Sequence, residues 1–237
     1  MSHGFWHLVK RDFQAIKERD PAARGQLETA LCYPGLHATF AYRIANVLWR
    51  ANFRFGARLI SYLGRMVTGI DIHPGATIGP GFFIDHGAGV VIGETAEVGT
   101  NVTIYHGVTL GGVSWSPGKR HPTLGDEVVI GSGAKILGPV VLGARVRVGA
   151  NSVVIEDVPE EMTVVGIPAR IVQTDRKNSR DPYRVNLDHH LMPDPVGRAL
   201  ASLADRVAFL EARLNARQGP LPPVRDPNGK KPQNCHH

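Results

Sequence analysis

Between positions 72 and 154 an aliphatic residue returns every sixth position: Ile72, Ile78, Ile84, then Ile92, Val98, Ile104, Leu110, then Leu124, Ile130, Ile136, Leu142, Val148, Val154. Gly often follows it, as in Ile78-Gly79, Ile92-Gly93, Val98-Gly99, Ile130-Gly131, Leu142-Gly143 and Val148-Gly149. A short fixed period marks a solenoid, and a period of six marks a parallel β-helix. Each hexad forms one short strand and a turn, three hexads close a triangular coil, and the aliphatic residue stacks inside the prism. Roughly four coils are expected. The register breaks twice. Ile84 to Ile92 is eight residues, and Leu110 to Leu124 is fourteen. A surplus in a solenoid is extruded as a loop, often on the binding face. The first surplus is expected just after Asp85-His86, and the second carries Lys119-Arg120-His121.

The pattern differs on either side. Residues 4–18 place Phe5, Leu8, Val9, Phe13 and Ile16 on one helical face. Arg19-Asp20-Pro21 interrupts it, with Asp20 as an expected N-cap and Pro21 at the first position of a second helix over 21–31. Further helices are expected at 36–51 and 53–68. After the repeat, Val165-Gly166-Ile167-Pro168-Ala169-Arg170 returns the chain along the outside of the prism. Then Val196, Leu200, Leu203, Val207, Leu210 and Leu214 are spaced 4, 3, 4, 3, 4, a coiled-coil seam or one face of a helix packed on its own subunit. The expected organisation is α+β. A small α-helical domain (1–70) precedes the parallel β-helix (71–173), a linker and heptad helix follow (174–217), and the Pro-rich tail (218–237) is expected to be disordered.

Composition narrows the chemistry. The formal net charge is +6, but the basic residues are dispersed and no nucleic-acid recognition motif stands among them. An anionic small ligand is the simpler partner. The two cysteines, Cys32 and Cys235, have no metal or disulfide-framework spacing, which fits a reducing compartment. No signal-peptide run opens the chain. Arg43, Arg50, Arg54, Arg58 and Arg65 punctuate its most apolar region, so no transmembrane helix is expected there. A cytoplasmic protein that uses neither a membrane nor a nucleic acid is the expectation.

The hexad register also places side chains. His86 and His106 are each the third residue of a hexad, one coil apart, so their imidazoles should share a face about 5 Å apart along the axis. Asp85 precedes His86, and Asp71 lies one coil below. A histidine beside carboxylates on an exposed ridge is a candidate general base, because its ordinary pKa of about 6.5 leaves it mostly neutral at pH 7. A turn histidine that is only a polar surface residue is the competing reading.

Asp71-Ile72-His73-Pro74, Ile84-Asp85-His86, Val91-Ile92-Gly93-Glu94-Thr95, Gly107-Val108-Thr109-Leu110-Gly111-Gly112, Lys119-Arg120-His121-Pro122, Gly133-Ala134-Lys135-Ile136-Leu137-Gly138 and Gly166-Ile167-Pro168-Ala169-Arg170 occur in this order. Together they resemble the serine O-acetyltransferases over about residues 8–173. The repeat alone is shared by many acyltransferases. Arg19-Asp20-Pro21 with Asp85-His86 and Arg120-His121 is more specific. The resemblance implies a left-handed β-helix, a homotrimer or a hexamer, and acetyl transfer from acetyl-CoA to the hydroxyl of L-serine, the step that opens cysteine synthesis. It implies that His86 is the base and that Asp71 orients it. It also implies that Asp20, Asp85, Arg120 and His121 hold the amino acid. The chemistry agrees, since an ammonium needs carboxylates and a carboxylate suits a guanidinium. Backbone N–H groups at Gly111-Gly112 are candidates for the oxyanion. Ser132 and Ala150 match close-approach positions for CoA, or are merely small turn residues. Lys135 and Arg147 are candidate phosphate partners, or solvated charges. No tightly bound cofactor and no metal is expected.

The sequence departs from the family in two places. The helical region is shorter than in members that join two trimers into a hexamer, so the C-terminal heptad is a candidate tie for a trimer. Members that dock with cysteine synthase end in isoleucine, whereas this sequence ends Asn234-Cys235-His236-His237, which bears on docking and not on catalysis. Two other readings keep the same fold. One is an acetyltransferase for a sugar or other hydroxyl, which would not need Asp20, Asp85 and Arg120 around a zwitterion. The other is a zinc enzyme of carbonic-anhydrase type using His86, His106 and His121.

Overall fold

A computed structural model describes residues 4–172 and 195–218. The linker expected from 174 and the tail expected beyond 218 lie outside the described residues. Residues 4–172 belong to one compact unit and 195–218 to another.

The first unit opens with helices α1 (Phe5–Arg19), α2 (Gln26–Cys32), α3 (Pro34–Arg50) and α4 (Arg54–Thr68). Asp20 does not cap α2. The chain turns through residues 20–25 and the helix starts at Gln26, while Pro34 takes the first position of α3. Proline suits that position because its missing N–H would be unpaired there anyway.

The repeat then winds a three-faced prism. One face stacks β1 (Asp71–Ile72), β4 (Val91–Ile92), β7 (Thr109–Gly111), β10 (Lys135–Leu137) and β13 (Val153–Val154). A second stacks β2 (Thr77–Ile78), β5 (Glu97–Val98), β8 (Thr123–Leu124) and β11 (Val141–Leu142). A third stacks β3 (Phe83–Asp85), β6 (Thr103–Tyr105), β9 (Val129–Ile130), β12 (Arg147–Val148) and β14 (Thr163–Gly166), with β15 (Ala169–Val172) antiparallel on β14. The other pairings are parallel and align the repeat positions, as in Ile84 with Ile104 and Ile92 with Leu110. Val158 bridges Leu142 on the second face, so the described residues complete about five coils, one more than the hexad count gives.

All thirteen repeat aliphatics are at most 5 % exposed. Four residues after most of these aliphatics a second inward row appears, with Ala76, Phe82, Ala96, Val102, Val108, Val128 and Ala134 also buried, while after Ile84, where the register breaks, Val90 takes that place. Replacing one of the large aliphatics by Ala in such a column costs about 2–5 kcal/mol.

In the first coil each strand donates its N–H groups upward, as in Asp71 to Val90, Thr77 to Ala96 and Phe83 to Val102. Its carbonyls therefore face the open end and need donors. Helices α3 and α4 supply them. Ser61 donates to Ile72 (2.7 Å), Asn46 to Pro74 and Ala76 (2.8 and 3.0 Å), Tyr42 to Ala76 (2.8 Å), and Arg43 to Ile78 and Gly79. Arg43 also forms a buried bidentate pair with Asp12 of α1 (3.1 and 3.2 Å), whose carboxylate accepts the Phe82 N–H. The helices thus close the prism by hydrogen bonding and fix α1, and with it Asp20, against the first coil.

The second unit is helix α5 (Pro195–Gln218). Its seam residues Leu200, Leu203, Val207, Leu210 and Leu214 are 41–60 % exposed. No helix among the described residues is long and apolar enough to cross a membrane.

Candidate active site

Two corners of the prism carry the polar chemistry. At the first, between the third and first faces, the ladder of backbone bonds runs from Gly107 N–H to Ala88, from Gly133 to His106 and from Asn151 to Ser132. Ala88, not His86, therefore occupies the position below His106. The two surplus residues of the first register break are His86 and Gly87 themselves, both in the left-handed region (φ 59° and 77°). A non-glycine residue there is strained, by about 1–2 kcal/mol. The bulge pushes the imidazole outward, where it is 76 % exposed. The expected proximity to His106 survives, with the two rings 6.0 Å apart and nearly perpendicular.

Two carboxylates stand at this corner, Asp85 beside the imidazole and Asp20 near Asp85. Asp85 Oδ1 lies 3.8 Å from His86 Nε2. Burial pushes the Asp85 carboxyl above the usual carboxylate range; His86 and His106 pull it back down, and Asp20 adds to the upward push. Asp20 arrives from the end of α1. Its two oxygens accept the Ala22 N–H (2.8 Å) and the Tyr33 hydroxyl (2.6 Å). That bond to Asp20 is the main reason the Tyr33 hydroxyl is pushed up to about 12. Gly35 lets α3 reach this corner, since a Cβ there would stand 2.3 Å from the Ile84 carbonyl oxygen. Sequence reasoning missed Tyr33, and its Tyr-Pro-Gly context reads only as a helix boundary.

The second corner, between the first and second faces, is built from the long insertion. Thr95 organises it. Its hydroxyl oxygen accepts the backbone N–H groups of Arg120 (3.0 Å) and His121 (3.1 Å) and lies 2.9 Å from His121 Nδ1. The Thr95 N–H donates to the same Nδ1 at 3.2 Å. An N–H cannot accept, so Nδ1 is the acceptor and the ring proton sits on Nε2. Burial, reinforced by Arg120, lowers the His121 pKa. His121 is therefore a neutral imidazole presenting an Nε2–H donor. Gly93 makes room for it, because a Cβ at Gly93 would fall 1.9 Å from His121 Cδ2. The Arg120 guanidinium pairs with Glu94 and holds its carboxyl below the usual range. His73 lies alongside, with Trp49 edge-on at 5.0 Å and Arg54 above the Trp49 ring at 3.9 Å. Glu94 and Thr95 belong to a motif the sequence displays, but only the fold shows that they hold Arg120 and His121.

The remaining predicted residues divide between the corners. Ser132 and Ala150 continue the first corner's column above His106. Lys135 reaches the same corner, but its ammonium donates to the carbonyls of Gly107 and Gly133 (2.7 Å to the latter). Arg147 lies in β12, beside the column. Gly112 sits with the second corner, where a Cβ would meet His121 Nε2 at 3.2 Å, and Gly111 precedes it at the end of β7. Asp71 pairs with Arg65 at 3.1 Å, while the carboxylate beside His86 in this chain is Asp85. Asp71, Glu94 and His121 all act electrostatically on His73, whereas Asp85 and Asp20 act on Tyr33 and Tyr105. A single chain thus separates the His86 imidazole and Asp85 from the Arg120 guanidinium and the His121 imidazole. His86 and His106 come together without His121, and no three His, Cys, Asp or Glu side chains among the described residues are grouped to hold a metal.

Comparison with known proteins first gives the class. The bacterial transferase hexapeptide (six repeats) family matches residues 121–156. The serine acetyltransferase of Bacillus subtilis is 51 % identical over 215 residues, 90 % of this chain and 97 % of that protein. That of Mycobacterium tuberculosis is 52 % identical over 204 residues, 86 % and 87 % of the two. A serine acetyltransferase solved in complex with cysteine superposes with a TM-score of 0.70 at 42 % identity, covering 71 % of this chain and 70 % of that one. One solved with CoA gives 0.68 at 42 % over the same shares. The chain belongs to the serine acetyltransferase family.

Proposed function

We propose that the protein transfers the acetyl group of acetyl-CoA to the hydroxyl of L-serine, giving O-acetylserine for cysteine synthesis. The observation that carries this beyond family membership is the pair of corners. One offers an exposed imidazole among carboxylates; the other offers a guanidinium and a neutral Nε2–H donor. A free amino acid is a zwitterion whose two charges need those two environments. A sugar hydroxyl needs neither.

The corners belong to one site if neighbouring copies meet, with the His86 corner of one chain against the Arg120 corner of the next. A homotrimer satisfies this for all copies at once. Asp20 and Asp85 then receive the ammonium, and Arg120 receives the carboxylate. His86 takes the hydroxyl proton as the serine oxygen attacks the thioester carbon. Asp71, arriving with the partner's face, is the group assigned to orient the base. The tetrahedral oxyanion meets the His121 Nε2–H and the Gly111-Gly112 backbone, which line the same corner. As the C–S bond breaks, the proton on His86 passes to the CoA sulfur. Direct transfer needs no covalent enzyme intermediate. CoA runs along the column His106, Ser132, Ala150, where small residues leave room, with Arg147 and Lys135 as the nearby cations. Cysteine differs from serine only by sulfur for oxygen, so it fits the same charged groups and would inhibit by competing with serine. The enzyme works in the cytoplasm, without a metal.

The test is direct. Purified protein should release CoA thiol from acetyl-CoA only when L-serine is present. Release that ignores serine and responds to a sugar would reject the assignment. Zinc retained in stoichiometric amount at His86 would revive the carbonic-anhydrase reading.

A further inference from the structure

We infer that α5 is one strand of a parallel, in-register, three-stranded coiled coil made with the α5 helices of the other two copies. The strand number rests on the trimer proposed above; the orientation rests on α5 itself.

The helix exposes an apolar stripe it cannot bury alone. Leu200, Val207 and Leu214 fall at a positions, and Leu203 and Leu210 at d positions of one heptad. All five are 41–60 % exposed. The flanking charges select the arrangement. Arg206 and Arg213 occupy g, and Glu211 occupies e. In a parallel coil, g of one helix faces e of its neighbour five residues further on, so Arg206 meets the partner's Glu211. In an antiparallel coil g faces g, and arginine would oppose arginine. Arg206 and Glu211 are five apart, too far round the helix to pair within it. No ion pair to either is found among the described residues. A threefold axis satisfies the parallel requirement, since rotation leaves every copy's helix pointing the same way along the axis.

A charge-swap cycle in the full-length protein tests this, read by sedimentation over a dilution series with the CoA-release assay run in parallel. The wild type should sediment as three chains. Arg206→Glu and Glu211→Arg should each raise the concentration at which the assembly dissociates, on the order of tenfold for three pairs turned repulsive. The double variant Arg206→Glu/Glu211→Arg should restore it, which separates charge pairing from damage to the helix. Tighter assembly of Arg206→Glu would indicate an antiparallel coil and overturn the inference. So would single variants indistinguishable from wild type in an active trimer, an outcome that leaves the proposed trimer standing. An active wild type that sediments as a monomer would overturn both.

Discussion

At one corner of the prism the His86 imidazole is 76 % exposed, stands on left-handed backbone and has a carboxylate 3.8 Å away. At the other, His121 is 9 % exposed, and Thr95 bonds both its ring and its backbone. The first arrangement suits a base that must gain and lose a proton in contact with substrate. The second suits a donor that must not change state or move, because a preorganised dipole costs no reorganisation during reaction. Their surroundings differ accordingly: a carboxylate beside an exposed His86, burial and a guanidinium beside His121.

Changing His86 should have the largest effect. His86→Ala should lower kcat by about 10²–10⁴-fold, the usual worth of a general base, with an unchanged melting temperature. A loss below tenfold would remove His86 from the base role. The division between corners is then exposed by mixing. His86→Ala and Arg120→Ala, each nearly inactive alone when serine is held well below its wild-type KM, should regain about a quarter of wild-type activity under that condition when co-refolded in equal amounts. A site joining the first corner of one chain to the second corner of the next is intact in one pairing of four. No recovery would mean that one chain supplies both halves.

Changes at the second corner should act on binding more than on proton transfer. Arg120→Ala should raise the KM for serine roughly ten- to a hundredfold, the loss of a charge-assisted hydrogen bond worth about 1.5–3 kcal/mol. Gly93→Ala touches neither substrate nor base, yet its Cβ would fall 1.9 and 2.0 Å from His121 Cδ2 and Nε2. The imidazole must move, and kcat should fall by up to about 10²-fold, as for a misplacement of about 1 Å. Normal activity of Gly93→Ala would show that His121 need not be held in place.

The sequence displayed the fold because its period is short and the constraint repeats in every coil. Each of the thirteen aliphatics marks the same inward position, and all are buried. The helices before it were legible by face but not at their ends, because Asp20 spends its carboxylate on Ala22 and Tyr33 instead of on a helix cap. Counting the register breaks located both interruptions of the prism but misassigned the first surplus. Only the backbone ladder shows that His86 and Gly87 are the inserted pair, since a count of eight cannot say which two residues bulge. Thr95 and Tyr33 were not legible as site residues. Their partners are 26 and 13 positions away, respectively, and no local pattern announces such contacts.

The comparison extends to pH, where the expected effect is smallest. His73, beside the second corner, accepts the Gly75 N–H on Nδ1 at 3.0 Å, so protonating it would break that bond. Burial first, and then Arg58, lower its pKa from 6.5 to about 4, against the pull of Glu94 and Asp71. Between these values the unfolded chain binds the proton and the folded chain does not. Stability from this group is therefore intact above pH 6.5 and is lost as the pH falls towards about 4. Asp85, at the first corner, works the other way: its raised folded pKa means that stability falls as the pH rises through the carboxylate range. The two corners should thus tilt the stability curve in opposite directions. His73→Asn keeps an acceptor for Gly75 but removes the titration. Its melting temperature should fall less than that of the wild type on acidification through this window, by a few degrees. Parallel curves for the two proteins would show that His73 titrates alike folded and unfolded, and that the second corner is as open to water as the first.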